Sequence, residues 1–437
     1  MKTAKTKKPT LPSTAKKRKA STATTKKKKQ STSAAKKRKT TLTTATTTTN
    51  NKKKQPTLTP PQSTTTQESS PFASLPYDLL LNCLARVPRL YYLTLSLVSK
   101  SFRSLLASSD LYKARSRLGR TETCLYVCFE GPLGSLPGSR WFTLCRKPDA
   151  VLTSKKTRLS SGYVLAKVPF PQDPDERVPV FTGLVAVGSN IYSIGPERSL
   201  AYEFSPTPIY VLDCWSHTWH EAPCLHMNLK ELSASVLDQK IYVAGCSKYG
   251  YLNSSVEVFY TTTQTWDPKP IPCSETFQSC YYRTRCLDGK FHVVGDNEVI
   301  AYNSKEGRWD RVGKDIGWHM DTDSYCEIDN VLYSAFNGKI IWYDTEVSRW
   351  RVLKGLVGLP VFPFDYKGIR LADYGGKMVV LWHERYPHGD SLKKTIWCAE
   401  ITLEKRKCGE IWGEVEWVDH LLTIPAFEIL KVLAATV

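Results

Sequence analysis

Hydrophobic and polar residues are arranged in three different ways along the chain, and each pattern predicts a different kind of structure. Residues 1–70 show no hydrophobic periodicity, because they contain no aromatic residue, no Val and no Ile. Residues 71–118 carry Leu-rich rows at helical spacing. Residues 121–437 consist of short β-branched and aromatic runs separated by Gly, Asp, Asn and Pro, the pattern of strands joined by turns. The chain is therefore predicted to contain a disordered tail, a small all-α module and an all-β domain.

The helices of residues 71–118 are bounded by Pro and Gly. Pro76 suits the first turn of a helix, where its missing N–H is no loss, and Pro88 ends that helix. Gly119 is a natural end for a last helix over residues 111–118. So short a segment cannot bury all its apolar surface by itself, so it either packs on the rest of the chain or presents an apolar face to a partner. Its apolar rows consist of Leu79, Leu80, Cys83, Leu84, Val87, Leu93, Leu97, Val98, Phe102, Leu105 and Leu106.

The β region repeats a phrase with two parts. A turn with Gly, Asp or Asn leads into an apolar strand, as in residues 188–195, 237–245 and 287–295; a second apolar strand and a polar turn then lead to Trp. Because an Asp-Gly type of turn joins antiparallel strands as a hairpin, each repeat predicts a four-stranded unit, and units of this length are typical of the blades of a β-propeller. The Trp residues of the repeat are Trp219, Trp266, Trp309 and Trp350, at intervals of 47, 43 and 41 residues.

The repeat predicts about six blades, with five or seven left open. Trp141 is interpreted as the equivalent residue of a first blade that lacks its own inner strands, and Trp412 as that of the last blade. Residues 421–437 are strand-like and are expected to return and supply the missing strands, since closure removes exposed strand edges.

A target-binding surface is predicted on the loops that leave the second strand of each blade. In a propeller these loops gather on one face. The loop with Lys248, Tyr249 and Tyr251 offers rigid aromatic area with polar edges, the residue types that dominate interface energetics. The alternative is an ordinary loop whose tyrosines pack locally.

Positive charge is concentrated in the tail. Residues 1–70 hold 19 of the 61 Lys and Arg residues and one of the 41 acidic residues, so they carry +18 of the formal net charge of +20. Such a segment cannot bury enough apolar surface to offset its conformational entropy and is predicted to be disordered. Short basic runs match nuclear-import signals and also bind nucleic-acid phosphates without sequence preference; the alternative is a solvated leader with no receptor. The candidate import residues are Lys16, Lys17, Arg18, Lys19, Lys36, Lys37, Arg38 and Lys39.

The rest of the sequence bears on where in the cell the protein is expected. No run of 18 apolar residues is present, so neither a transmembrane helix nor a membrane partner is expected. The N-terminus lacks the apolar core of a secretory signal, and thirteen cysteines are then interpreted as reduced thiols. The protein is expected in the nucleus, the cytoplasm or both.

The tightest group of metal-ligand residue types is Cys214, His217, His220, Cys224 and His226. A zinc site needs four such side chains that converge. This stretch is predicted to form the outer hairpin of a blade, where successive side chains point to opposite faces, so solvated histidines are expected instead. The sequence also lacks a Gly-rich phosphate loop and a nucleophile elbow, and no cofactor or catalytic residue is predicted.

Three segments of the helical region have a specific spacing. They are Leu75-Pro76-x-Asp78-Leu79, Arg86-Val87-Pro88 and Leu97-Val98-Ser99-Lys100-x-Phe102-Arg103-Ser104-Leu105. Together they resemble the F-box, which docks target receptors onto the Skp-type adaptor of cullin–RING ubiquitin ligases. Cys83 is a departure, since F-boxes commonly carry Ile there. By this resemblance the adaptor-binding or helix-packing residues are Leu75, Pro76, Leu79, Val87, Pro88, Leu97, Val98 and Phe102.

The order of an F-box followed by kelch-type repeats resembles the plant F-box/kelch-repeat proteins. The repeats are degenerate, because Gly195, Gly245 and Gly295 stand singly where kelch blades usually have a Gly pair. The resemblance implies a non-catalytic substrate receptor of an SCF-type ubiquitin ligase, which brings an unidentified target protein to the adaptor and cullin. Two alternatives remain: an enzyme built on a kelch propeller, and a chromatin- or RNA-associated scaffold that acts through the basic tail.

Overall fold

A computed structural model describes most of the chain beyond the tail. The chain divides into two units, Met1–Gln67 and Glu68–Val437, and all described residues belong to the second. The predicted disordered tail, its import candidates and the loop with Lys248, Tyr249 and Tyr251 lie outside the described residues. The described residues are 75–130, 139–146, 162–168, 183–195, 209–227, 229–247, 255–273, 283–295, 298–320, 324–362, 368–385, 393–407, 409–425 and 427–437.

A helical module precedes the β domain, as predicted. The hydroxyl of Ser99 accepts a hydrogen bond from the Phe102 N–H (3.1 Å), and the hydroxyl of Ser108 accepts one from the Leu111 N–H (3.3 Å); each caps the start of a helix. Gly119 follows the last helix with a φ of 61°, which only glycine adopts without strain. The helices are α1 (Tyr77–Ala85), α2 (Tyr92–Leu95), α3 (Lys100–Leu106) and α4 (Ser109–Arg117), with a 3-10 turn over Arg89–Tyr91.

The described strands form six antiparallel sheets, the blades of a propeller. This confirms the predicted fold and blade number. Blade 1 contains β25 (Glu428–Thr436), β1 (Thr123–Glu130), β2 (Ser139–Arg146) and β3 (Tyr163–Val168), from the inside outward. Blade 2 contains β4 (Gly183–Val187), β5 (Asn190–Ile194), β6 (Ile209–Asp213) and β7 (Thr218–Ala222); blade 3 contains β8 (Leu229–Leu237), β9 (Lys240–Ser247), β10 (Ser255–Tyr260), β11 (Thr265–Trp266) and β12 (Ile271–Pro272).

The other three blades have four strands each. Blade 4 contains β13 (Arg283–Leu287), β14 (Lys290–Val294), β15 (Val299–Asn303) and β16 (Arg308–Val312). Blade 5 contains β17 (Tyr325–Ile328), β18 (Val331–Phe336), β19 (Lys339–Asp344) and β20 (Arg349–Val352). Blade 6 contains β21 (Arg370–Asp373), β22 (Met378–Arg385), β23 (Lys393–Lys405) and β24 (Ile411–Pro425).

The predicted hairpin turns join the two inner strands of the blades. Asp238 and Gln239 have φ values of 50° and 60°, and Asp329 and Asn330 have φ values of 49° and 60°. Two consecutive residues with positive φ form the type I′ turn, whose twist matches that of antiparallel strands. Asp and Asn tolerate this conformation better than other residues with side chains, which explains why the repeat carries them.

The C-terminal strand closes the ring, as predicted. β25 pairs with β1 from Thr123 opposite Thr436 to Glu130 opposite Glu428. Two details of the prediction were wrong. Residues 421–425 stay in β24 of the last blade, so a single strand returns. Trp141 lies on β2, the third strand, because the first blade keeps three strands of its own and lacks the innermost one alone.

The outer-strand Trp residues connect successive blades. The indole N–H of Trp266 donates to the carbonyl of Pro223 (2.7 Å), and that of Trp309 donates to the carbonyl of Pro272 (2.9 Å). In both cases the acceptor lies on the segment that leaves the preceding blade. A large ring with one polar atom suits such a position, because the ring packs against its neighbours while its N–H finds a partner.

The apolar core is divided among the contacts between blades. One cluster joins blades 2 and 3 through residues such as Val185 and Ile241, and another joins blades 3 and 4 through Val258 and Phe291. The cluster between blades 1 and 2 also contains α1, α3 and α4 residues, among them Leu111. The helical module therefore shares its core with the propeller. No helix of the described residues is both long and apolar enough to cross a membrane.

Candidate functional site

The outward surface of the helical module carries most of the predicted adaptor-binding residues. The side chain of Leu97 is 73% exposed, that of Val98 is 61% exposed and that of Leu79 is 53% exposed. Leu75, Pro76 and Pro88 are exposed as well. Leu97 and Val98 lie in the turn between α2 and α3, and Leu79 lies in the first half of α1. Fully burying a Leu or Val side chain is worth about 1.5–3 kcal/mol, so this surface is costly unless a partner covers it.

Two of the predicted residues point inward instead. Phe102 is buried in the core cluster, and Val87 is half-buried against it. Both therefore hold the helices together, which is the second of the two roles that the resemblance implies. Phe102 follows the N-cap Ser99 on α3, and its ring lies on the side of that helix that faces the module interior.

The structure adds two exposed apolar residues that the motif does not name. Tyr77 begins α1 next to Pro76, and Leu93 lies on α2; both are exposed. Tyr77 occupies the unspecified position of the Leu-Pro-x-Asp segment, so the spacing of the motif gave no signal for it. Leu93 belonged to the predicted apolar row, but a row alone does not tell which of its members are covered.

A buried arginine holds the helices of the module together through hydrogen bonds. Arg115 on α4 is 1% exposed. Its Nη1 donates to the carbonyls of Ala85 (3.2 Å) and Val87 (2.8 Å) and to the hydroxyl of Tyr92 (3.0 Å), and its Nη2 donates to the carbonyl of Arg120 (2.6 Å). Arg115 thus binds the C-terminal end of α1, where the carbonyls of a helix lack partners of their own.

Glu122 extends this network to the propeller. Its carboxylate lies 3.2 Å from Nη2 of Arg115 and accepts a hydrogen bond from the backbone N–H of Arg89 (2.7 Å). The backbone N–H of Glu122 donates to the carbonyl of Val437, the last residue of the chain (2.9 Å). The network therefore joins the module, the entry into blade 1 and the strand that closes the ring.

A second contact joins the module to the outer turn of blade 2. The ring of Tyr112 stacks on Trp215 with centroids 5.2 Å apart and an angle of 3° between the planes, and its hydroxyl donates to the Trp215 carbonyl (3.2 Å). Arg89 lies over the Tyr112 ring at 5.0 Å and donates to the carbonyls of Cys214 and Trp215. These contacts are polar and aromatic, and they hold one side of the module on the propeller while the apolar surface faces away.

His217 completes this junction. Its Nε2 lies 3.0 Å from the hydroxyl of Tyr126 and 3.3 Å from Nη2 of Arg89. Burial, with a further contribution from the Arg89 charge, lowers the pKa of His217 to about 4. Cys214 is buried and its thiol pKa is raised by burial, which favours the neutral thiol.

The other three members of the predicted ligand group lie elsewhere. His220 and Cys224 are exposed, and Nδ1 of His226 lies 3.1 Å from the carboxylate of Glu257. Within the described ranges, no group of three or more His, Cys, Asp or Glu side chains is placed to hold a metal ion. The ten cysteines whose side chains the structure describes are free thiols.

Comparison with known families agrees with both parts of this architecture. The F-box domain model matches residues 72–114, and the model of the FKB95 Kelch-repeats domain matches residues 141–422. The second match covers well over half of the chain. The chain belongs to the F-box/kelch-repeat family.

Individual relatives extend the match across both domains. The chain is 52% identical over 375 residues to F-box/kelch-repeat protein At5g51250 of Arabidopsis thaliana, which covers 83% of this chain and 100% of that protein. It is 48% identical over 383 residues to F-box/kelch-repeat protein At3g06570 of the same plant, which covers 84% of this chain and 94% of the relative. The helical module is thus an F-box, and its outward apolar residues form the candidate site.

Proposed function

We propose that this protein is the substrate receptor of an SCF-type cullin–RING ubiquitin ligase. Its F-box binds a Skp-type adaptor, its propeller binds a target protein, and it catalyses no reaction itself. The observation that carries the proposal is the F-box surface with Leu79, Leu97 and Val98, which is apolar, exposed and held outward by a polar junction. Contiguous exposed apolar side chains on a folded domain mark binding sites for other proteins.

The two binding sites are expected to lie on opposite faces of the propeller. The F-box packs near the turns between inner strands, because the backbone N–H of Thr436 donates to the carbonyl of Gly188 (2.8 Å) beside the F-box attachment at Val437. The second strand of each blade runs away from these turns. β9 therefore ends at Ser247 on the far face, and a target bound there would not collide with the adaptor.

The adaptor role is tested with two exposed side chains. Replacing Leu97 and Val98 together by Ser removes apolar area without opening a core cavity, so the fold is expected to persist. Co-purification of the adaptor with the full-length protein is expected to fall at least tenfold. The matched control replaces Val357 and Val361 by Ser, since Val361 is 96% exposed and Val357 is also highly exposed on the propeller. The control is expected to retain the adaptor.

Leu75→Ala combined with Pro76→Ala provides an independent test at the start of α1. Loss of adaptor binding in both F-box variants, with unchanged circular dichroism and thermal unfolding, supports the proposal. Full retention of the adaptor by Leu97→Ser with Val98→Ser contradicts it.

We further propose that the loop after β9 binds the target through Lys248, Tyr249 and Tyr251. Tyr supplies large, rigid contact area at low entropic cost. Changing Tyr249 and Tyr251 to Ala is expected to abolish capture of the target by affinity purification under a block of proteasomal degradation, while the adaptor stays bound. Unchanged capture would place the target site on another loop or on the F-box face.

We also propose that the basic tail directs part of the protein to the nucleus. The four-residue runs Lys16–Lys19 and Lys36–Lys39 are short cationic segments of the type that import receptors bind. Replacing all eight residues by Gln in a fluorescent fusion is expected to lower the nuclear share of the signal. The same number of substitutions on the propeller surface serves as the control, and an unchanged distribution in the tail variant contradicts the proposal.

A further inference from the structure

The inner strands of all six blades surround an axial channel. Neighbouring inner strands contact one another around most of the ring, and β17 is linked to β13 by the hydroxyl of Tyr325, which donates to the carbonyl of Thr284 (3.2 Å). The channel encloses about 510 Å³. That volume lies in the range of pockets that hold small molecules.

Arg285 on β13 lines this channel, and its guanidinium has no hydrogen-bond partner among the described residues. Its side chain is 4% exposed, yet Nε, Nη1 and Nη2 all lack a hydrogen-bond partner. Among the residues that the structure describes, no carboxylate lies within ion-pair distance of it. Burial lowers the pKa of Arg285 to about 10, so the guanidinium stays charged at neutral pH. Buried charges are normally paired and hydrogen-bonded, so a buried guanidinium whose three nitrogens all lack a partner is suited to hold a ligand with acceptor oxygens.

The channel wall supplies polar neighbours for such a group. The hydroxyls of Ser233 and Ser235 lie 3.0 Å and 2.9 Å from the hydroxyl of Thr284, which forms a small polar ladder beside Arg285. Lys431 on β25 lines the same channel and places a second cation there; its Nζ lies 5.6 Å from the centre of the Tyr325 ring.

Two acids line the channel beside these cations. Glu327 and Asp373 line it on β17 and β21. Burial raises the pKa of Glu327 to about 7 and also raises the pKa of Asp373. Burial therefore favours the neutral form of both carboxyl groups, while the charge of Arg285 acts in the opposite direction on Glu327.

We propose that the axial channel is a binding site for one small oxyanion, a carboxylate or phosphate group, held by the guanidinium of Arg285. The planar fork of Arg matches two oxygens of either group through parallel charge-assisted hydrogen bonds. The inference does not depend on the adaptor role of the F-box, because it concerns the interior of the propeller. It adds a ligand to the domain that is proposed to bind the target.

Isothermal titration calorimetry on the full-length chain tests the site with two probes, inorganic phosphate and succinate. At least one of them is expected to bind with a stoichiometry near one. Arg285→Gln is expected to weaken that binding at least tenfold, and Arg285→Lys, which keeps the charge and loses the fork, to weaken it by a smaller factor. Because the basic tail is identical in all proteins, its non-specific contribution cancels in these comparisons.

Arg308→Gln is the matched control, since Arg308 belongs to the same blade but lies exposed on its outer strand beside Glu306. Its binding is expected to equal that of the unchanged protein. Preference for phosphate over succinate, or the reverse, identifies the group. Absence of saturable binding for both probes, or equal binding by the unchanged protein and Arg285→Gln, overturns the proposal.

Discussion

The F-box junction and the axial channel each contain a fully buried arginine, but the surroundings of the two side chains are opposite. Arg115 at the junction donates from both terminal nitrogens to four acceptors and pairs with Glu122. Arg285 in the channel donates to none of the described residues. A buried guanidinium whose two terminal nitrogens are held by protein acceptors is part of the architecture, whereas a buried charge without partners costs stability that a binding site can recover from a ligand.

Each region also contains a histidine whose pKa is lowered by burial and by the nearby arginine. The pKa is about 4 for His217 beside Arg89 and about 4 for His292, which is paired across the strands with Arg285. In both regions burial and the neighbouring arginine favour the neutral form of the histidine. The difference lies in what balances the charge of the arginine: protein groups at the junction, and an external anion in the proposed channel site.

The largest effect that separates the regions is expected from Arg115→Met. This change leaves the carboxylate of Glu122 and the carbonyls of Ala85 and Val87 without their donor. Breaking one side of a buried, hydrogen-bonded pair costs roughly 3 kcal/mol, and denaturant unfolding of the full-length protein measures the loss. Arg117→Met is the control, because Arg117 lies in the same last turn of α4 but is exposed. Equal losses in the two variants would contradict the role assigned to Arg115.

An effect of similar size is expected from the pH dependence of the junction. His217 faces Arg89, Tyr126 and the carboxylate of Asp213. Its pKa falls from 6.5 in the unfolded chain to about 4 in the fold. The contribution of His217 to the free energy of unfolding is therefore complete above pH 6.5 and decreases as the pH falls toward 4. Between these values the imidazole is protonated in the unfolded chain but stays neutral in the folded protein. The loss amounts to about 3 kcal/mol at pH 4.

His217→Gln is expected to remove this part of the acid sensitivity in unfolding curves measured between pH 7 and pH 4. Gln is chosen because Gln264 occupies the same turn position in blade 3, with a φ of 57° against 56° for His217. His220→Gln, at an exposed position of the same hairpin, should leave the curve unchanged. If His217→Gln kept the full acid sensitivity, other groups would account for it.

Local sequence signals predicted the propeller, but they did not predict that Arg115 and Arg285 are buried. The Asp238–Gln239 and Asp329–Asn330 turns and the Trp spacing are local signals, because each reports a conformation or a strand order within one blade. Arg115 has the sequence context of an ordinary basic residue near the end of a helix, and two of its acceptors, the carbonyls of Ala85 and Val87, lie 30 and 28 positions away. Only the assembled module shows that it is buried.

Arg285 was missed for a different physical reason. In the segment Arg283-Thr284-Arg285, alternation of charged and uncharged residues is typical of a strand with one solvated face. The inner strand of a blade has a neighbouring blade on each side, so the charged positions become interior. Likewise the F-box motif named Leu97 and Val98 by spacing, but it did not separate them from Phe102, which the fold places in the core.

Arg285→Met sharpens the contrast with Arg115→Met, since the same substitution is expected to change the free energy of unfolding in the opposite direction. In a buffer without phosphate or carboxylates, replacing an unpaired buried charge by an apolar side chain should raise the free energy of unfolding by about 1 kcal/mol. Arg308→Met, at an exposed site of the same blade, should change it by less than about 0.5 kcal/mol. A loss as large as that of Arg115→Met would mean that Arg285 stabilises the fold and is not reserved for a ligand.

The smallest predicted effect concerns anion affinity and Glu327. The groups that interact with this carboxyl are Arg285, Asp288 and Asp373, and Lys431 lines the same channel. Because its folded-state pKa is about 7, Glu327 is largely neutral at pH 6 and ionised at pH 8, where its charge repels a bound anion. Sulfate, which keeps its charge over this range, is therefore expected to bind about fivefold more weakly at pH 8 than at pH 6, a difference of roughly 1 kcal/mol. Glu327→Gln should flatten this profile and Glu306→Gln, at an exposed site, should not. If the pH profile of sulfate binding stayed equally steep in Glu327→Gln, ionisation of Glu327 would not affect anion binding at Arg285.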